Sequence, residues 1–199
     1  MLLDLLRHGE TEGGARYWGA TDVALSWKGW RQMRAAVAGQ SWDLIVSSPL
    51  RRCAAFAEAL ARELDVACRY EADLREMSFG EWDGRSASEI LKMDAERLRN
   101  FWEDPSRHSP PRGESLEQLR SRVTAAWRRI LTDRENRRVL LVTHAGPIRL
   151  LRAAQLGTQL SNLLSIEVPH GSLITIECLT DGSAAPVPGA SPSHFEETG

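Results

Sequence analysis

Leu2-Leu3-Asp4-Leu5-Leu6 is a short apolar run that stops abruptly at Arg7-His8-Gly9-Glu10-Thr11. Two later runs share the design. Asp43-Leu44-Ile45-Val46-Ser47 leads straight into Ser48-Pro49-Leu50-Arg51-Arg52, and Arg138-Val139-Leu140-Leu141-Val142-Thr143 leads into His144-Ala145-Gly146-Pro147. Asp4 apart, each run is apolar without in/out alternation, the pattern of a strand buried on both faces of a parallel sheet. The first run contains an Asp, follows no basic segment and is too short for a signal-peptide core, so a buried strand is expected.

Helices are expected between these strands. Ser26 reads as the N-cap of a helix reaching about Gln40, with Trp30, Met33 and Val37 on one face. Ser48 as N-cap and Pro49 at the first helical position open a helix over Leu50 to Glu63. Ser86-Ala87-Ser88-Glu89 and Ser115-Leu116-Glu117-Gln118 are capping boxes, the second opening a helix from about Leu116 to Leu131. A last helix starts at Gly146-Pro147 and runs to Leu156. Glu12 to Leu25 reads as an ordered loop, Asp73 to Gly84 as a charged, aromatic loop, and Pro105, Pro110 and Pro111 keep Asp104 to Gly113 out of a helix. Val66 to Tyr70 is expected at a sheet edge, and Ile166 to Val168 and Leu173 to Cys178 as two further strands. The alternation predicts a three-layer α/β/α domain over residues 1–180, with a mainly parallel central sheet and one antiparallel edge strand. The Gly-, Ser-, Ala- and Pro-rich residues 181–199 are expected to form a disordered tail.

Apolar residues make up 42% of the 199 and charged residues 26%, which argues against global disorder. A net charge of −2 gives no electrostatic reason for a nucleic-acid or anionic-membrane partner. No window approaches the apolar length of a membrane span. Cys53, Cys68 and Cys178 are too few and too scattered for a disulfide framework or a zinc site, and no metal-ligand cluster is evident. A cytoplasmic protein without metal or cofactor is the expectation.

In an open parallel sheet, ligands bind at the carboxyl ends of the strands. Two histidines and at least two arginines therefore converge above one sheet edge, beside helix N-termini that offer free N–H groups and a positive dipole end. Such a place suits a dianion, and phosphate is the obvious candidate.

Leu6-Arg7-His8-Gly9-Glu10-Thr11 resembles the Arg-His-Gly signature of the histidine phosphatase superfamily, the phosphoglycerate-mutase-like proteins. Ser47-Ser48-Pro49-Leu50-Arg51-Arg52-Cys53 is similar to a second block of that family. Leu74-Arg75-Glu76 with Phe79-Gly80-Glu81-Trp82-Asp83-Gly84 is similar to the block carrying its acid, and Gly113-Glu114-Ser115 and Val142 to Arg149 to its later blocks. Five blocks in the family's order bracket residues 2 to about 178. The resemblance implies that His8 attacks phosphorus to form a phosphohistidine, with its other ring nitrogen held by an acceptor. It implies that Arg7, Arg52 and His144 neutralise the phosphoryl oxygens, and that Glu76 protonates the leaving alkoxide and then activates water. Thr11 and Ala145 join the substrate-binding set. Arg16 is divided evenly between substrate contact and a surface salt bridge.

Glu81 and Asp83 compete with Glu76 for the acid role, and the block alignment favours Glu76. Arg51 falls on a variable position and reads as a solvated neighbour. His108, His170 and His194 match no catalytic position and read as structural. Many relatives have an Asn where this chain has Gly14, which a backbone N–H or Arg16 would have to replace. Gly13 to Leu25, Phe79 to Ser86 and Val168-Pro169-His170-Gly171-Ser172-Leu173 resemble the bacterial α-ribazole phosphatase branch. That likeness implies a small-molecule phosphomonoester substrate, α-ribazole 5′-phosphate, in cobalamin assembly, with Trp18 and Trp82 as candidates to stack its ring. A broad-range or sugar-phosphate phosphatase is the alternative. A catalytically silent phosphate-binding module would be expected to lose one of Arg7, His8, Arg52 and His144, and all four are kept.

Overall fold

The computed structural model describes residues 1–132, 138–178 and 184–185. Its strands are β1 (Leu2–Arg7), β2 (Leu44–Ser47), β3 (Ala67–Tyr70), β4 (Arg138–Thr143), β5 (Leu173–Cys178) and β6 (Ala184–Ala185). They form one sheet in the order β3-β2-β4-β1-β5-β6. The first four strands pair in parallel, β5 runs antiparallel to β1, and β6 antiparallel to β5.

The helices are α1 (Trp27–Val37), α2 (Arg51–Leu64), α3 (Ala87–Glu103), α4 (Leu116–Leu131) and α5 (Ala145–Leu156). Because strand side chains alternate between faces, each apolar run feeds two cores. Leu3 and Leu5 of β1, with Val139 and Leu141 of β4, pack with Leu98, Leu119 and Ile148 from α3, α4 and α5. Leu6, Leu140 and Val142 face the other way, against Met33 and Val37 of α1 and Phe56 and Leu60 of α2. The sheet is therefore the middle of three layers, as its composition predicts. Asp4 in β1 is fully buried but not orphaned. Trp42 Nε1 and Arg138 Nε donate to its carboxylate at 2.7 and 2.8 Å, and Thr175 Oγ1 adds a third bond.

Several local expectations are corrected. Ile166 to Val168 form no strand, because their carbonyls serve side chains instead: Arg149 Nε donates to Ile166 O, and Arg7 Nη1 to Val168 O. Helix α2 starts at Arg51 with Leu50 as N-cap, so Pro49 precedes the helix; the Ser48 hydroxyl lies 2.8 Å from His144. Helix α1 stops at Val37, where Ala38 leaves helical geometry and Gly39 takes a left-handed φ of 70°. Short 3₁₀ turns at Ala72–Leu74 and Gly80–Trp82 punctuate the loop read over Asp73 to Gly84. Both capping boxes form as expected, although α3 breaks at Asp94. Within the tail read as disordered, Ala184–Ala185 pair with Glu177 and Cys178; residues 179–183 and 186–199 lie outside the described residues.

Candidate active site

Parallel pairing of β1 with β4 aligns Leu6 with Val142 and Arg7 with Thr143. The next residue of each strand therefore emerges at the same place. His8 and His144 lie with ring centroids 5.1 Å apart and planes inclined by 64°, both buried. The two imidazoles are close enough to touch one tetrahedral anion. Gly9, just after His8, passes so close to α1 that a Cβ there would sit 2.2 Å from Gly29 O.

His8 Nδ1 is 2.7 Å from the Gly9 carbonyl oxygen. A carbonyl only accepts, so the proton sits on Nδ1 and Nε2 keeps its lone pair. Burial, then the Arg52 charge, hold the His8 pKa well below 6.5, against the Gly9 hydrogen bond that favours protonation. His144 has the complementary tautomer. Arg52 Nε donates to its Nδ1 at 3.2 Å, leaving a proton on Nε2 that is donated to Ser48 Oγ. Burial first, and Arg52 second, keep His144 neutral as well.

Arg52 is fully buried in the first turns of α2. Besides His144, it donates to the carbonyls of Thr21, Trp18 and Gly19, each at 2.9 Å. One guanidinium thus fixes both the second histidine and the loop after the first. Arg7 donates to Val168 O and, at 3.0 Å, to His170 Nε2, while its buried Nε has no protein partner. Burial lowers the Arg7 pKa to about 10, which leaves it cationic at neutral pH.

Glu76 arrives from the loop after β3. Its Oε1 accepts from Gly146 N at 3.1 Å and Met77 N at 2.9 Å, which seats the carboxylate at the N-terminus of α5. A Cβ on Gly146 would lie 2.3 Å from that oxygen, so glycine is required for this approach. Pro147 is tolerated one position later because first-turn N–H groups have no helical acceptor. Arg122 of α4 clamps the backbone of the same loop, donating to the carbonyls of Asp73, Arg75 and Glu76 at 2.7 to 2.9 Å. Its Nε and Nη2 grip both Glu114 oxygens at 2.6 and 2.7 Å.

The rivals and auxiliaries fall elsewhere. Glu81 pairs with exposed Arg112, and Asp83 accepts from the N–H groups of Ala20 and Thr21. Arg16 takes the ion-pair alternative, binding Glu89 at 2.6 Å and Gly84 O. Thr11 forms a bridge with Leu25 and accepts from Gly14 N, which holds the loop. Ala145 is the first residue of α5, and its N–H has no acceptor among the described residues. Gly14 is exposed with φ at 72°, so neither it nor Arg16 restores the Asn of the pattern. Arg51 is exposed, as is His108; His194 lies outside the described residues.

Neither Trp18 nor Trp82 stands where a leaving group would stack. Trp82 is 1% exposed, packed on Phe101 and Tyr17, and Trp18 closes over Gly13. The aromatic wall is instead Tyr17, Phe79, Phe101 and Trp102, lining a cavity of about 270 Å³ that opens from Glu76 and Gly146. Leu163 and Leu164 complete it, and Arg149 supplies a cation. Trp102 Nε1 donates to Tyr17 OH at 2.7 Å across its rim.

Arg149 and His170 escaped the sequence reading. His170, read there as structural, lies 5.5 Å from the His8 ring. The register Leu6↔Leu173 explains why: it sets Ser172 beside Arg7 and brings the preceding turn against His8. Only the order of β1 and β5 in the sheet could have revealed this.

The family model of the histidine phosphatase superfamily, branch 1, matches residues 3–186. The chain belongs to that superfamily. It is 34% identical over 187 residues to a bifunctional protein of Mycobacterium tuberculosis, across 91% of this chain and 51% of that protein, so it spans about half the length of that relative. It is 35% identical to the glucosyl-3-phosphoglycerate phosphatase of Mycolicibacterium vanbaalenii, covering 80% of this chain and 76% of that one. The crystal structure of the α-ribazole phosphatase from Shigella flexneri superposes with a TM-score of 0.81 at 26% identity, over 94% and 95% of the two chains. Among the described residues, no helix is long and apolar enough to cross a membrane, and no His/Cys/Asp/Glu group is arranged to hold a metal ion.

Proposed function

We propose that this chain is a phosphomonoesterase working through a phosphohistidine on His8. The observation that carries the reading is the facing pair His8 and His144, with His8 Nε2 kept as a lone pair by the Gly9 carbonyl. His8 Nε2 attacks phosphorus in line while the Arg7 and Arg52 cations balance the charge on the phosphoryl oxygens and the neutral His144 borders the same gap. Glu76, beside the gap at the α5 N-terminus, gives a proton to the departing alkoxide and then takes one from the water that frees phosphate. Ala145 N–H is available to a phosphoryl oxygen.

The substrate we propose is α-ribazole 5′-phosphate, which places the chain in the cobalamin nucleotide-loop step. An aromatic-walled cavity adjoining the acid suits a leaving alcohol that carries a flat apolar ring. The likeness to the Shigella flexneri enzyme points the same way. A second reading, a phosphatase of acidic sugar phosphates, is favoured by Arg149 in that cavity and by the glucosyl-3-phosphoglycerate relative. Measuring kcat/KM for α-ribazole 5′-phosphate against glucosyl-3-phosphoglycerate and plain sugar phosphates decides between them. The first reading expects α-ribazole 5′-phosphate to lead by at least about tenfold, and Phe101→Ala to raise its KM while sparing small sugar phosphates. Equal turnover across the panel would remove it.

A further inference from the structure

Arg7 is the phosphate-facing cation nearest the nucleophile in sequence, yet nothing on its own strand fixes its head group. The segment before β5 supplies the partners instead. Val168 O takes Nη1, His170 Nε2 lies 3.0 Å from Nη2, and Ser172 O receives the Arg7 backbone N–H. The same segment touches the nucleophile from the other side: Gly171 N donates to His8 O at 3.3 Å, and the His170 ring stands 5.5 Å from that of His8. Of the donors Arg7 has left, Nε is buried and without a protein acceptor. A buried guanidinium N–H without a protein partner is placed to be completed by a ligand oxygen or water.

We propose that His170 is a positioning residue of the phosphate site: its Nε2 accepts from Arg7 Nη2 and aims the remaining Arg7 donors at the phosphoryl group. This rests on the phosphatase reading above and adds a residue to it. Because guanidinium donates and never accepts, His170 must be neutral with its proton on Nδ1. Its surroundings keep it so. Burial first and the Arg7 charge second push its pKa down to about 4. The other groups facing it are His8 at the end of β1, Glu10, whose charge opposes the shift, and Lys28 of α1, which pairs with Glu10 at 2.7 Å. The linkage sign follows. The folded protein binds fewer protons at His170 than the unfolded chain between pH 6.5 and about 4, so its contribution to stability is whole above 6.5 and lost as pH falls through that window. His8 and His144, also held below 6.5, add to the same slope.

The test uses inorganic phosphate as the probe, with the dissociation constant measured by calorimetry at pH 7.5 on wild type, His170→Leu and His170→Gln. A glutamine side-chain oxygen can occupy the place of Nε2 and accept from Arg7, whereas leucine cannot. The leucine variant is expected to bind phosphate about tenfold more weakly, and the glutamine variant to recover to within about threefold. Long-range ¹H–¹⁵N spectra of the wild-type imidazoles report the tautomer without reference to activity. A proton on Nδ1 of His170 is expected, with protonation only near pH 4. Unchanged phosphate affinity in a folded leucine variant, or a His170 proton on Nε2, overturns the proposal. Should leucine fail to fold, the glutamine variant and the spectra decide it. Trapping of phosphoenzyme in wild type separately tests His8, so failure of the phosphatase reading is told apart from failure of the His170 assignment.

Discussion

His8 and His144 enter the site as the residues immediately following two neighbouring parallel strands, whereas Glu76 enters on a loop held by groups from α4 and α5. The first side is set by strand pairing: once β1 and β4 lie in register, the imidazoles have nowhere else to go. The second side is assembled from parts far apart in sequence, namely the Arg122–Glu114 clamp, the N–H of Gly146, and a cavity walled by α3 and the Leu160–Ser165 turn. The His8–His144 half is thus buried and rigid by construction. The Glu76 half depends on a few tertiary ties, each of which can be cut separately.

The sharpest way to break this comparison is at the rigid half. His8→Ala should lower kcat/KM by at least about 10³-fold and abolish any acid-labile phosphoenzyme caught by rapid quench. The fold should survive, since two neighbouring strands rather than the imidazole hold the place. Ordinary turnover by that variant would mean that the strand-end pair is structural. Glu76→Gln attacks the other half. Loss of the general acid should cost about 10²- to 10³-fold with an alkyl phosphate. With p-nitrophenyl phosphate, whose leaving group needs little help, the loss should shrink to about tenfold or less. Equal losses for both substrates would show that Glu76 holds α5 in place rather than moving a proton.

The same contrast governs what could be read in the residues. Three apolar runs ending in polar residues disclosed the parallel sheet, because burial on both faces leaves a continuous apolar signature. They also disclosed His8, His144, Arg7 and Arg52, which are strand-end or first-turn residues whose position follows from local sequence. Trp18 and Trp82 are candidates for ring stacking or for core packing on sequence alone, since nothing local distinguishes a tryptophan that packs from one that faces a cleft; Trp82 packs against Phe101. His170 was passed over because its place depends on β5 lying antiparallel beside β1, a long-range pairing that no short window encodes. The missing strand at Ile166 to Val168 is the same lesson in reverse. Two β-branched residues flanking Glu167 read as a strand, but the carbonyls of Ile166 and Val168 answer to Arg149 and Arg7.

Arg122→Met tests whether the tertiary tie matters at the level proposed. The Arg122 and Glu114 side chains are only 18% and 14% exposed, so removing one partner leaves a poorly solvated carboxylate behind. A loss of about 2–3 kcal/mol in stability is expected, near the lower bound for breaking a buried pair. Three backbone carbonyls of the Asp73–Glu76 loop lose their donor at the same time. Denaturant titration should therefore show destabilisation, and kcat should fall with alkyl phosphates more than with p-nitrophenyl phosphate, in the pattern of Glu76→Gln. A variant with unchanged stability and unchanged substrate selectivity would show that the loop holds itself.

Arg16→Ala should do almost nothing, and that makes it informative. Its partner Glu89 is already engaged by the Ser86 N–H and hydroxyl in the α3 capping box, so the helix start keeps its cap without the guanidinium. The ion pair itself is solvent-exposed and screened, the kind that contributes little. Since Arg16 points to α3 and not to the His8–His144 gap, kcat/KM for phosphomonoesters is expected to stay within about twofold of wild type, and raising the salt concentration should not widen the gap. A larger loss confined to kcat/KM, with thermal stability intact, would mean that Arg16 swings from Glu89 to the substrate. The loop after His8 would then belong to the mobile half of the site rather than to the rigid one.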